Sequence, residues 1–177
     1  MRRYVVIQLA RLGDIVQSLP VVSALRTRHA GDQLDMVCPA PLTEVAAMLP
    51  GLDRVVGWDG ARWQRLAGDC ATGVTAVCLR QLEEELTSVS SEPYDRAYIL
   101  NQHPRAILAG TLLARDTVGP LARGPLSGEL TPWAAYIREI ARTRKANHVH
   151  LSDAWCGLCG VIPPPPTAVV APAAQSS

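Results

Sequence analysis

The sequence predicts an α/β fold built on a parallel sheet, and three observations carry that prediction. Short apolar runs rich in β-branched residues recur at Tyr4 to Leu9, Leu34 to Cys38 and Arg54 to Trp58, as expected of strands buried on both faces. The segments between them have helical spacing, and a β-α-β-α-β order is satisfied most simply by parallel strands with crossover helices. At 177 residues and 48% hydrophobic, the chain has the size of one domain and enough apolar surface to fill a core.

After the first strand, Ala10-Arg11-Leu12-Gly13 reads as a turn, and from Asp14 the apolar residues Ile15, Leu19, Val22 and Leu25 form a helix stripe. Pro20 falls inside that stripe and must kink or restart the helix. Thr43 to Leu49 reads as a short helix. Arg62 to Ser91 is helical in composition, with Val77, Leu79, Leu82 and Leu86 as its apolar positions and Glu83-Glu84-Glu85 as a solvated face. Tyr94 to Leu100 is a fourth strand, Ala106 to Ala114 a helix, and Thr117 to Gly119 a short fifth strand. Thr131 caps a helix that begins with Pro132, has Trp133, Ile137 and Ile140 on its apolar side and ends among Arg142, Arg144 and Lys145. Asn147 can cap a last helix, with Leu151, Trp155 and Leu158 on one side and Gly160 closing it. The domain is expected to span residues 1–162. Residues 163–177, rich in Pro and Ala, read as a stiff linker or tail. A domain running into such a segment is expected to be half of something larger.

Composition narrows the function. Seventeen basic against sixteen acidic side chains leave a net charge of +1, which argues against a nucleic-acid partner. No segment has the apolar length of a membrane span, and the apolar run behind Arg2-Arg3 is too short for a signal peptide, so the expected compartment is the cytoplasm. Five scattered cysteines do not form a disulfide framework. Trp155-Cys156-Gly157-Leu158-Cys159 imitates a redox motif, but it lies at the wrong end of its helix, where the dipole opposes a thiolate. Two cysteines also make only half a zinc site, and packing is the expected role.

The turn Gly13-Asp14 is the strongest local signal. Ligands of open parallel sheets bind at the carboxyl ends of the strands. Glycine there admits a substrate close to the backbone, and a carboxylate can take a proton from a hydroxyl. Local chemistry alone favours reading Asp14 as a helix N-cap. The turn lacks the G-x-G-x-x-G pattern of a dinucleotide site.

The stretch Gln8-Leu9-Ala10-Arg11-Leu12-Gly13-Asp14-Ile15-Val16-Gln17-Ser18-Leu19-Pro20, continuing to Ala24-Leu25-Arg26, resembles the opening of glycosyltransferase family 9, the lipopolysaccharide heptosyltransferases. Weaker likenesses follow in family order: Tyr94-Asp95, the loop with His103 and Arg105, Asp116 to Gly119, and Val149 to Trp155. The resemblance implies a Rossmann-like sheet forming the N-terminal, acceptor-side half of a GT-B enzyme, with a C-terminal donor-binding domain as its partner. It implies inverting, metal-independent transfer of a sugar from a nucleotide sugar to a lipopolysaccharide or other surface glycan. No cofactor is expected, and a lipid-linked acceptor would bring the protein to the inner face of the membrane. The family's proposed base falls on Asp14, with Gly13 and Arg11 beside it in the turn. Arg62 and Arg65 follow the third strand, where the family often has a basic loop, and His103 and Arg105 follow the fourth. Arg62 and Arg65 are equally read as surface residues, Arg105 has the same alternative, and His103 reads more simply as an ordinary polar loop residue. Gln8 and Ala10 stand where many members have arginine and serine, a departure that bears on the acceptor and on heptose as the donated sugar. The competing reading is a non-catalytic glycan- or nucleotide-binding module on the same fold.

Overall fold

The computed structural model describes residues 1–63, 65, 76–122, 128–143 and 149–165. Its centre is a five-stranded, all-parallel sheet of β1 (Arg3–Ile7), β2 (Gln33–Pro39), β3 (Arg54–Trp58), β4 (Arg96–Ile99) and β5 (Thr117–Val118), in the order β3-β2-β1-β4-β5. The described helices are α1 (Leu12–Gln17), α2 (Leu19–Arg28), α3 (Thr43–Ala47), α4 (Ala76–Val89), α5 (Pro104–Leu113), α6 (Pro132–Arg142) and α7 (Leu151–Cys159).

The period of two in the strands divides the core. Tyr4, Val6, Leu34, Met36 and Tyr98 face a layer built with Ile15, Val21, Leu25, Ala134 and Trp155. Val5, Ile7, Val37, Ala97 and Ile99 face a second layer with Trp58, Trp63, Val89, Ala106 and Leu113. Both faces are therefore covered, as the apolar runs predict.

The expected restart at Pro20 is borne out, and several other expectations are corrected in detail. The predicted stripe through Pro20 is two helices, with Ser18 between them and Pro20 in the first turn of α2, where a missing N–H costs nothing. The Ser18 hydroxyl donates to the Asp14 carbonyl at 2.8 Å and accepts from the buried Gln8 amide at 3.3 Å, bolting the joint to the end of β1. Helix α5 starts at Pro104, two residues early, because the His103 ring caps it. Val77 does not pack, being 64% exposed, and Glu85 is not simply solvated but pairs with Arg62 at 2.6 Å. Asn147 lies outside the described residues, as do most of the tail and Arg144 and Lys145; α7 begins after His150, whose side chain makes no capping bond. Thr131 caps α6 and Gly160 closes α7 in the left-handed region (φ 65°), as expected.

At the amino edge of the sheet, Asp35 is fully buried and compensated: Tyr94 donates to it at 2.7 Å, Gln33 at 2.9 Å and Arg54 at 3.2 Å. Its neighbour Tyr94 has its pKa raised, first by burial and then by that hydrogen bond.

Two predictions follow from this packing. Ile99 is held between Gly110 and Gly119, and a Cβ on Gly119 would stand 2.9 Å from both the Ile99 carbonyl oxygen and its Cβ. Gly119→Ala should cost about 1–3 kcal/mol, the usual range for overpacking, and denaturant titration measures it. His29 stacks on Tyr4 with ring centroids 3.7 Å apart and shares a 2.7 Å hydrogen bond with the Tyr98 hydroxyl. Burial holds its pKa below the usual 6.5, aided by Arg28, Arg96 and Arg26 and opposed by Asp32. The unfolded chain thus takes up the proton at a higher pH than the folded one. Stability should be flat above pH 6.5 and fall as pH drops through the lower folded pKa. Urea midpoints across pH 5 to 8, the range in which histidine changes charge, should lose that acid limb in His29→Phe.

Candidate functional site

Because all strands are parallel, their carboxyl ends lie on one edge, and the strand order reverses between β1 and β4. That switch point is where such sheets open a crevice. A cavity of about 550 Å³ occupies it, lined by Leu9, Ala10 and Arg11 from the β1–α1 turn, Asp14 in the first turn of α1, Pro39 from β2, Trp58 and Gly60 at the end of β3, and Asn101, His103, Arg105 and Ala106 after β4.

Asp14 is not the N-cap of α1. Arg11 occupies the cap position, and its side chain has no acceptor to offer. Asp14, the third helical residue, instead accepts the Arg11 backbone N–H at 3.2 Å, the carboxylate half of a capping box. It remains half-buried and lines the cavity. Gly13 precedes it in ordinary helical backbone and does not line the cavity; a Cβ there would meet only the Gln17 amide nitrogen, at 3.9 Å.

His103 Nδ1 accepts the Arg105 backbone N–H at 3.2 Å. The proton of the neutral ring is therefore on Nε2, which is left as a donor. Arg105 reaches across to the β3 side, where a Cβ on Gly60 would lie 3.6 Å from its guanidinium. No hydrogen bond or ion pair of the Arg11 or Arg105 guanidinium is present among the described residues. Asp59, behind β3, accepts the backbone N–H groups of Ala61 and Arg62, both at 3.0 Å, and these hold its carboxyl below the usual range, the Arg62 bond foremost. This closes the helical turn 60–63 and lays Trp63 on Trp58, ring centroids 4.4 Å apart and 14° from parallel. Trp58, backed by Trp63, gives the cavity an aromatic wall.

The sheet thus brings Asp14, Arg11, His103 and Arg105 together. It does not bring Arg62 or Arg65 to them. Arg62 turns to Glu85 on α4, and Arg65 is exposed and absent from the cavity lining. Sequence reasoning missed Asn101, Trp58, Gly60 and Pro39. For Asn101 a signal existed: it is the first polar residue after a predicted buried strand, at the edge where ligands bind. Trp58 read only as the end of a strand.

Chemically, the cavity offers one carboxylate able to accept a proton, two guanidinium groups suited to carboxylate or phosphate oxygens, and neutral donors for hydroxyls. Among the described residues, no group of three or more histidine, cysteine, aspartate or glutamate side chains could hold a metal. Likewise, no described helix is long and apolar enough to cross a membrane.

Neither cysteine of the Cys156–Cys159 motif lines this cavity. Cys156 and Cys159 are buried on α7 against α2. Burial pushes the Cys156 thiol up to about 11 and Cys159 further still, with Asp153 adding to the first. In native protein at pH 8, alkylation mapped by mass spectrometry should leave both unlabelled until denaturant is added; rapid native labelling of either would contradict this placement.

No family model and no curated sequence matches the chain significantly. Solved structures do match in fold. Escherichia coli heptosyltransferase WaaC with ADP aligns with a TM-score of 0.59 at 15% identity, over 92% of this chain and 49% of that one. The same enzyme with ADP-2-deoxy-2-fluoro heptose aligns equally, over 92% and 50%. The chain spans about half the length of these structures and shares the α/β fold of that half.

Proposed function

We propose that this chain is the acceptor-holding domain of a glycosyltransferase and that Asp14 is its general base. The observation that carries the reading is a single half-buried carboxylate in a cavity at the switch point, faced by Arg11, His103 and Arg105. Likeness in fold to a heptosyltransferase, in one structure holding ADP-2-deoxy-2-fluoro heptose, supports a nucleotide sugar as donor.

In this reading an acceptor hydroxyl gives its proton to the Asp14 carboxylate, and its oxygen forms a bond to the anomeric carbon of the donor. The bond from that carbon to the donor phosphate breaks on the opposite face, releasing the nucleotide and inverting the centre. The scheme runs without a metal. The departing charge is met by helix N-termini and basic groups of a donor-binding half. Arg11 and Arg105 hold carboxylate or phosphate groups of the acceptor, a lipopolysaccharide or other surface glycan. A lipid-linked acceptor places the reaction at the cytoplasmic face of the inner membrane.

Because a cleft needs two walls to orient donor and acceptor, the isolated chain should not transfer sugar. The base is tested in protein joined to a donor-binding half. Asp14→Asn keeps an oxygen for the Arg11 N–H, so the melting temperature should hardly move. Turnover should fall by ~10²–10⁴-fold, the usual contribution of a positioned base, with acceptor KM changing far less. A variant that melts like the parent and keeps most of its turnover would reduce Asp14 to a capping residue.

A further inference from the structure

We infer that Asn101 is a further ligand-binding residue of this cavity, donating from Nδ2 to an oxygen of a bound sugar; the inference rests on reading the cavity as an acceptor site. Where β1 and β4 part at the switch point, the regular ladder runs out. Gln8 N–H still reaches the Val37 carbonyl and Leu100 N–H the Ile7 carbonyl, both at 3.0 Å. The next donor, Leu9 N–H, has left the ladder and is captured by the Asn101 side-chain oxygen in a short hydrogen bond. A backbone N–H can face only the oxygen of a carboxamide, so the orientation of the group is chemically forced and Nδ2 is turned away from Leu9. Nδ2 carries two donors, and neither has a partner among the described residues. Asn101 lines the cavity with Asp14 and Arg105. A rigidly held amide with both donors unused, on the wall of a crevice beside a candidate base, is suited to a sugar hydroxyl or ring oxygen. Such groups discriminate well, because a ligand lacking the oxygen leaves the donor unpaired.

The test uses the ¹⁵N-labelled chain titrated with glucose, glucuronate and glucose 6-phosphate to their solubility limits. Observed are the side-chain amide pair of Asn101, the cavity backbone signals, hydrogen exchange at Leu9 and the melting temperature. At least one sugar should move the Asn101 pair along a saturating curve. Asn101→Asp retains an oxygen for Leu9 N–H but has no donor. It should keep the Leu9 protection and melting temperature while binding the same sugar roughly 3–10-fold more weakly, the effect of one neutral hydrogen bond. Should Asn101→Asp fail to fold, the response of the parent's amide pair decides alone. Sugars that shift Asp14 and Arg105 but leave the Asn101 pair still would overturn the inference and spare the acceptor-site reading. Weakening confined to the two anionic sugars would be charge repulsion and would count against it as well. If no sugar moves any cavity signal, the acceptor-site reading falls and the inference with it.

Discussion

The structure depends on β1 being hydrogen-bonded along both edges in a parallel sheet. A strand in that position has no face for water, so Val5, Val6 and Ile7 are fully buried, each stabilising the fold by about 1.5–3 kcal/mol. The helices that cover it must come from crossovers, and the chain must at some point leave one side of β1 for the other. That step creates the crevice. The site is therefore a consequence of topology before it is a matter of side chains: the turn after β1 and the loop after β4 have nowhere else to meet.

Polar groups manage the two ends of this apolar centre in different ways. At the amino edge, Asp35 is surrounded by Tyr94, Arg54 and Gln33, and a charge that would be costly alone is compensated. At the carboxyl edge, compensation is incomplete. Gln8 spends its amide nitrogen on Ser18, and among the described residues neither its Oε1 nor the buried Trp58 Nε1 has a hydrogen-bond partner. Unmet polar groups of this kind cost on the order of 1–3 kcal/mol each. Trp58 lines the cavity and Gln8 directly precedes the lining residue Leu9, a placement expected where local stability yields to a site.

Much of this was legible in the sequence, for physical reasons that differ by element. Strands buried on both faces announce themselves as unbroken apolar runs, so the sheet and its parallel order were readable from Tyr4 to Leu9 onward. Pro20 marked the helix joint because proline cannot continue a hydrogen-bonded turn. Asp14 could be singled out, but not its role as the third residue of α1, since Arg11 in the cap position gives no capping signal. The two arginines after β3 show the limit of reading by position. Arg62 and Arg65 follow the correct strand, yet the direction of a long side chain is decided by a partner far away in sequence, here Glu85. For Asn101 the position at the end of a buried strand was legible, but its partner was not: Leu9 lies 92 residues away. The solved neighbours confirm the fold and, at 15% identity, leave the chemistry to be argued from these residues.

The Trp58–Trp63 stack has a consequence for how the molecule can be watched. Two indoles at 4.4 Å and nearly parallel couple their strong electronic transitions, so the far-ultraviolet circular dichroism of this chain should carry an exciton signature of its own. One ring of the pair lines the cavity while the other is bound to the turn that Asp59 closes. A ligand that tilted Trp58 would change the coupling, so occupancy of the crevice can be sought optically without a label.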